Sequence, residues 1–286
     1  IKVSSVSLGY FDADIHPNAD LTILADIFNC PDDFNKFPTG FIEEILEKHR
    51  YIHIDNAYVD VCDLGYLPCS GNVSETCKYK NFFNLRSNIK RKSFSNKCSV
   101  YGKLRKKLYI NSILNVFVSP LHSRTIHNIL SNEMISNLKK KEYILKPIIN
   151  SKLFFNKNIE RDIDFLFVGS VGEAKGLKEL RERFENSNDK LTIIGNSPSR
   201  EDLSFANYLG FVPYKEMPGY FNRAINFIHV PRWPEPQGRV VVEAALCGCN
   251  IIGNNKVGAL SFNFNINNPN NFSDSKGDFW NAIKIL

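Results

Sequence analysis

The sequence has no acidic residue between Thr76 and Asn132. The same window holds twelve Lys or Arg, from Lys78 to Arg124, which leaves 24 of the 36 basic residues against all 30 acidic ones elsewhere. The net charge of +6 therefore conceals a basic block on an otherwise acidic chain. Such polarisation points to an anionic partner; the plainer alternative is a solvated loop. The block lacks a zinc-finger, RRM or KH signature, which argues against nucleic acid. An anionic acceptor or a lipid surface, met through Lys90–Lys107, fits better. No run approaches 18 apolar residues, so no transmembrane helix is expected. The N-terminus, IKVSSVSLGYF, lacks a charged segment followed by a long apolar one, so no signal peptide is expected. It also lacks Met, as in a fragment or a processed form. The expected location is cytoplasmic, with peripheral membrane contact through the basic block. Cys62, Cys69, Cys77 and Cys98 lack the C-x2-C knuckles of common zinc sites. Their spacing is compatible with a structural metal, two disulfides or free thiols, and no secretory feature favours disulfides.

With 286 residues the chain is long enough for two domains. We place them at 1–150 and 151–286, the first with a Cys- and Lys/Arg-rich insert at about 62–107. The residues around which the second is organised read PRWPEPQGRVVVEAALCGCNIIG, Pro231–Gly253. Three prolines exclude a helix over Pro231–Gly238. From Arg239 the spacing turns helical: Val240, Val241, Ala244, Ala245 and Cys247 mark an apolar side, and Gly248 stands where a left-handed cap would end it. The backbone N–H groups of Gln237–Val241 are then expected at a helix start, unpaired and at the positive end of the helix dipole, where phosphate binds. Glu235 falls just outside the helix mouth, and Glu243 more than one turn inside, opposite the Val241/Ala245 row.

Strands are expected at Val3–Leu8, Leu21–Ile27, Tyr51–Ile54, Asn115–Pro120, Glu142–Ile149, Asp164–Val168, Lys190–Ile194, Tyr208–Val212, Ala224–Val230 and Asn250–Ile252, with helices at Phe41–Lys48, Leu121 to about Asn132, Leu177 to about Asn186 and Asp278–Leu286, and a turn plus helix at Pro213–Arg223. Asn150–Arg161 reads as a linker. In the second half about five strands alternate with helices, which implies a parallel, doubly wound sheet. After Asp164–Val168 comes Gly169-Ser170-Val171-Gly172-Glu173-Ala174-Lys175-Gly176. This is strand, glycine turn, helix, as at the start of a Rossmann-like unit. It is no Walker loop, since no Gly-Lys-Ser/Thr closes it. The strand Tyr51–Ile54 delivers Asp55, Asn56 and Tyr58 to a carboxyl end, where ligands of α/β sheets bind. His53 itself reads as a satisfied strand histidine.

Glu235-Pro236-Gln237-Gly238, Glu243-Ala244 and Cys247-Gly248-Cys249 together resemble the Glu-x7-Glu signature of retaining nucleotide-sugar glycosyltransferases of the GT-B fold, family 4 (glycosyltransferase group 1). Gln237 replaces the common aromatic. The glycine turn resembles the phosphate loop of that family, with Lys175 matching its diphosphate-binding lysine and Ser170 standing in place of its arginine. The resemblance implies an α/β protein of GT-B architecture, two Rossmann-like domains with parallel sheets facing a cleft. It implies sugar transfer from a UDP-, GDP- or dTDP-linked donor to a glycan, lipid-linked or protein acceptor, with retention and no metal or other cofactor. No Asp-x-Asp pair stands at a suitable loop to hold one.

Glu235, Lys175, Asp55 and Asn56 are the catalytic candidates. The nucleotide-sugar candidates are Gly169, Ser170, Lys175, Gly195, Asn196, Phe211, Val212, Glu235, Pro236, Gln237, Gly238, Arg239 and Glu243. Among these, Gly195, Asn196, Phe211 and Val212 would take the base, Glu243 the ribose and Glu235 the sugar. Arg232 or Arg239 could supply the second cation for the diphosphate. The other readings are a nucleotide-sugar-binding module without transferase activity, or another GT-B enzyme such as an epimerase or a phosphorylase.

Overall fold

The computed structural model describes residues 3–6, 20–27, 39–61, 102–129, 136–197, 201–272 and 274–285. Cys62, Cys69, Cys77 and Cys98, and the basic block as far as residue 101, lie outside the described residues. The chain divides into two compact units, Ile1–Leu145 with Leu286, and Lys146–Ile285.

The first unit holds a five-stranded parallel sheet in the order β1 (Val3–Val6), β2 (Leu21–Ala25), β3 (Tyr51–Asp55), β4 (Leu114–Phe117) and β5 (Glu142–Ile144). Helix α1 (Thr39–Lys48) buries Ile42, Ile45 and Leu46, the stripe that a period of 3.6 places on one side. Helix α2 (Gly102–Asn111) follows, and Lys107, one end of the expected Lys90–Lys107 surface, pairs with Glu47 of α1 at 2.5 Å. Helix α3 runs Pro120–Ile129 and starts one residue earlier than the sequence suggests. Pro suits the first helical position, and the Ser119 hydroxyl accepts the His122 backbone N–H at 3.0 Å as the cap. Strand β5 stops at Ile144 instead of reaching Ile149. Its neighbour β4 ends at Phe117, so the chain beyond has no strand to pair with, and Pro147 has no N–H to offer.

The second unit is also a five-stranded parallel sheet, in the order β10-β9-β6-β7-β8. The strands are β6 (Ile163–Val168), β7 (Leu191–Ile194), β8 (Asn207–Gly210), β9 (Ala224–His229) and β10 (Asn250–Gly253). Helices α4 (Leu177–Phe184), α5 (Met217–Arg223) and α6 (Arg239–Leu246) connect them, and α7 (Ser275–Lys284) follows. The near-continuous apolar runs of β7 and β9 belong to strands covered on both faces. Strand β8 ends two residues before the expected Val212, because Gly210 takes φ 70 and breaks the extended run.

In α6, Val241–Leu246 are all buried, and Glu243 is buried too although helical spacing sets it opposite the Val241/Ala245 row. One correction concerns the start of the helix. The Val241 N–H already donates to Gly238 O at 2.9 Å, so it does not belong to the unpaired set at the helix start. Gly248 does take the left-handed cap, at φ 87. The supposed linker is not a free tether: Phe154 is fully buried in the core of this unit. Arg161 donates to Phe221 O at 3.2 Å and to Cys247 O at 2.8 Å, placing a cation at the negative ends of α5 and α6.

Candidate functional site

The sheet order of the second unit explains where its functional side chains meet. The chain runs from β6 outward through β7 to β8, then returns to β9 on the other side of β6. The order reverses between β6 and β9, and the loops leaving their carboxyl ends diverge there; this switch point is where open α/β sheets bind ligands. The loop after β6 is the glycine turn with Lys175, and the loop after β9 is Pro231–Gly238. Their adjacency follows from the register Ile163↔Ala224 and Leu166↔Phe227.

At this point Lys175 Nζ lies 2.6 Å from Glu235 Oε1, and His229 Nε2 lies 2.5 Å from Glu235 Oε2. Lys175 also sits 5.4 Å from the Trp233 ring centroid, a cation–π contact. Burial alone would push the Glu235 carboxyl upward. His229 and Lys175 outweigh it and hold the group down at about 2. Glu235 is therefore an ionised carboxylate with one oxygen on a lysine and the other on a histidine. The expected division of labour, with Lys175 on phosphate and Glu235 on sugar, starts from a state in which the two grip each other.

The proline loop is held by the segment Lys256–Ala259. Glu235 N–H donates to Lys256 O at 2.8 Å, Gly258 N–H to Glu235 O at 3.0 Å, and Ala259 N–H to Gln237 O at 2.5 Å. Pro236 and Gly238 are buried under these bonds, and Gln237 is half-buried. No side chain caps α6 at Gly238. One turn into the helix, Glu243 Oε1 accepts from Tyr214 Oη at 2.8 Å and from Arg239 Nε at 3.0 Å. Burial raises the Glu243 carboxyl, against the pull of Tyr214 and Arg239. The Tyr214 hydroxyl is pushed up to about 12 by burial and by Glu243.

Neither arginine proposed as a second phosphate cation stands unengaged. Arg232 lies between Glu179, at 2.7 Å, and Glu173, at 3.0 Å, and its backbone N–H donates to Ala174 O. It clamps the glycine turn to the proline loop. Arg239 is held by Glu243 and by Tyr214. Ser170, in the arginine position, is exposed.

The turns after β6 and β7 press together. Gly169 N–H donates to Ile194 O at 3.0 Å and Val171 N–H to Asn196 O at 2.7 Å. A Cβ on Gly195 would come within 1.9 Å of Gly169 O, so no other residue fits there. Asn196 and Phe211 are exposed, Phe211 at 71%, while Val212 packs on the core. Lys175, Glu235, Pro236–Arg239 and Glu243 thus share one corner of the unit, with Gly169, Ser170, Gly195, Asn196, Phe211 and Val212 on the loops beside it.

Asp55 and Asn56 belong to the first unit. Asp55 is wholly buried: Tyr109 Oη donates to its Oδ2, and His122 Nε2 stands 3.3 Å from Oδ1. Asn56 is exposed, and its side chain bonds Asp26. His53 is satisfied, as expected, with Nε2 on Asp60 Oδ2 at 2.8 Å and Nδ1 on Asn115 Oδ1 at 3.2 Å. Burial, with Asp60 and Asp55 nearby, raises Asp26 to about 6. Sequence reasoning missed His229, Trp233, Tyr214, Asp26, Asp60 and His122. A lone histidine in the apolar strand AINFIH was a signal for the first. Tyr214 lies 29 residues from Glu243 and left none. No group of three or more His, Cys, Asp or Glu able to hold a metal occurs among the described residues.

A parallel sheet with a glycine turn and a carboxylate–lysine contact at its switch point has the ligand-binding geometry of an open α/β sheet. Residues 150–265 match the family of glycosyl transferases group 1, so this segment is of the group 1 type. The fold is shared with sucrose-phosphate synthase from Thermosynechococcus elongatus, at 15% identity over 85% of this chain and 58% of that one, with a TM-score of 0.54. Anabaena HepE in complex with UDP and glucose matches at 13% identity over 85% of this chain and 61% of that one, with a TM-score of 0.51. The pneumococcal O-GlcNAc transferase GtfA in complex with UDP and GlcNAc matches at 10% identity over 82% of this chain and 42% of that one, with a TM-score of 0.51. The architecture is GT-B. The chain spans about three fifths of the length of the first two. No curated protein sequence matches it.

Proposed function

We propose that this chain transfers a sugar from a nucleotide-diphosphate donor to an acceptor, with retention of configuration. The observation that carries the reading is the Lys175–Glu235 pair at the switch point, with seven residues between Glu235 and Glu243 and an uncapped helix start among them. A diphosphate offers Lys175 two negative charges where Glu235 offers one, so donor arrival draws the lysine off Oε1. That oxygen then accepts a hydroxyl of the donor sugar. The ribose hydroxyls fall to Glu243, and the base to the loops at Gly195, Asn196, Phe211 and Val212. As the glycosidic bond breaks, charge builds on the leaving diphosphate. Lys175 and the N–H groups at the start of α6 stabilise it without reorganising, which is electrostatic catalysis. The step as read draws on no metal, and activity that persists in excess EDTA is the expected outcome. Asp55 and Asn56 would serve from the first unit, Asp55 by holding the strand end through Tyr109 and His122.

The donor is a UDP-, GDP- or dTDP-linked sugar in this reading, and the acceptor is a glycan, lipid-linked or protein hydroxyl. The Lys90–Lys107 block would bring the chain to an anionic acceptor or membrane surface from the cytoplasm. No helix among the described residues is long and apolar enough to cross a membrane. A thermal-shift panel of UDP-, GDP- and dTDP-sugars, then donor hydrolysis with and without acceptors, tests the reading. No stabilisation and no turnover with any donor would sink it. Ser170 in the arginine position, with Arg232 engaged by two carboxylates, favours a second reading, a donor-binding module without transfer. Stabilisation by nucleotide with no turnover would select that one.

A further inference from the structure

The buried histidine beneath Glu235 has no part in the step just described, yet its two ring nitrogens face different surroundings. Nε2 lies 2.5 Å from Glu235 Oε2, and an ionised carboxylate only accepts, so Nε2 carries the proton and donates. Nδ1 is buried and has no hydrogen-bond partner. The flanking side chains are apolar: the Phe167 and Phe227 rings stack on the imidazole at 6.1 Å and 6.2 Å, tilted by 18° and 17°. The other oxygen of Glu235, Oε1, is on Lys175.

We infer that His229 is a positioning residue, whose Nε2 contact holds Oε2 of Glu235 so that Oε1 alone exchanges between Lys175 and a donor hydroxyl. This role in exchange rests on the proposed function. The groups facing His229 are Glu235 from the proline loop, the phenylalanines of β6 and β9, and, across Glu235, Lys175 from the glycine turn. The carboxylate thus keeps one fixed partner on Oε2 when Lys175 leaves Oε1.

One kinetic comparison tests this. In donor hydrolysis with UDP-, GDP- and dTDP-glucose, H229F keeps the aromatic stack and loses the donor. It should lower kcat roughly ten- to a hundredfold with donor KM little changed. H229Q, whose amide N–H can reach the same oxygen, should recover most of that loss, which a purely steric role would not predict. Wild-type kcat in H229F beside a loss in E235A overturns the positioning role alone. Wild-type kcat in both overturns the functional reading beneath it as well.

Discussion

A histidine is buried against a carboxylate in both units, and the two pairs differ in what surrounds them. In the first unit His53 is sealed with Asp60 at zero exposure for both. The Asn115 amide nitrogen is committed to Tyr109 O at 3.0 Å, so its oxygen faces His53 Nδ1. Both ring nitrogens of His53 then meet acceptors, and the ring is an imidazolium. Burial opposes that charge, but Asp60, Asp55 and Asn115 outweigh it and raise the group. In the second unit His229 meets one acceptor, and its carboxylate shares the other oxygen with a lysine that is 21% exposed. The first pair is closed on itself and serves stability. The second has one movable partner, which is what a binding carboxylate needs. The same two residue types thus become a staple or a handle according to the second contact of each.

The most severe way to break the comparison is Asp60→Asn. Removing one partner of a buried ion pair leaves the other uncompensated, so unfolding free energy should fall by ~3–5 kcal/mol. Urea denaturation followed by near-UV circular dichroism measures it, and a loss under about 1 kcal/mol would mean that His53 is not charged. The pH dependence should separate the pairs by sign. Glu235 is lowered to about 2, so its contribution is full above its unfolded value near 4.5 and is lost as pH falls through about 2. That contribution is on the order of 3 kcal/mol. His53 is raised, so its contribution is full below its unfolded value near 6.5 and is lost as pH rises through the folded value. Denaturation midpoints across pH should therefore lose their acid limb in Glu235→Gln and their alkaline limb in Asp60→Asn.

Two smaller effects sharpen the functional half. Glu235→Ala should cost kcat roughly 10- to 150-fold, the range of a charge-assisted hydrogen bond worth ~1.5–3 kcal/mol. Rates must be compared well below the melting midpoint of the variant, because it also loses the pair. Glu243→Ala removes a ribose contact made equally in ground and transition states, so it should raise donor KM roughly tenfold and spare kcat. Equal effects of the two changes on kcat would erase the distinction between sugar and ribose carboxylates.

Much of the architecture was legible beforehand because its causes are short-ranged. The alternation of apolar runs with helical spacing locates all ten strands, Asn250–Gly253 being the apolar strand after α6. The three prolines stopped a helix before Gly238, and Gly248 ended α6 in a left-handed cap. Element ends were less legible where a neighbouring strand decides them, as at Ile144 and Gly210. Glu235, Glu243 and Lys175 could be named as candidates from spacing. What spacing could not show is that Lys175 and Glu235, sixty residues apart, touch. Only the register of β6 on β9 brings their loops to one corner. The same holds for Arg232, which looked available in sequence until folding placed Glu173 and Glu179 around it. The partner of each histidine was also a tertiary decision. A ring nitrogen carries a proton according to the atom that faces it, and that atom comes from a residue the local pattern does not specify.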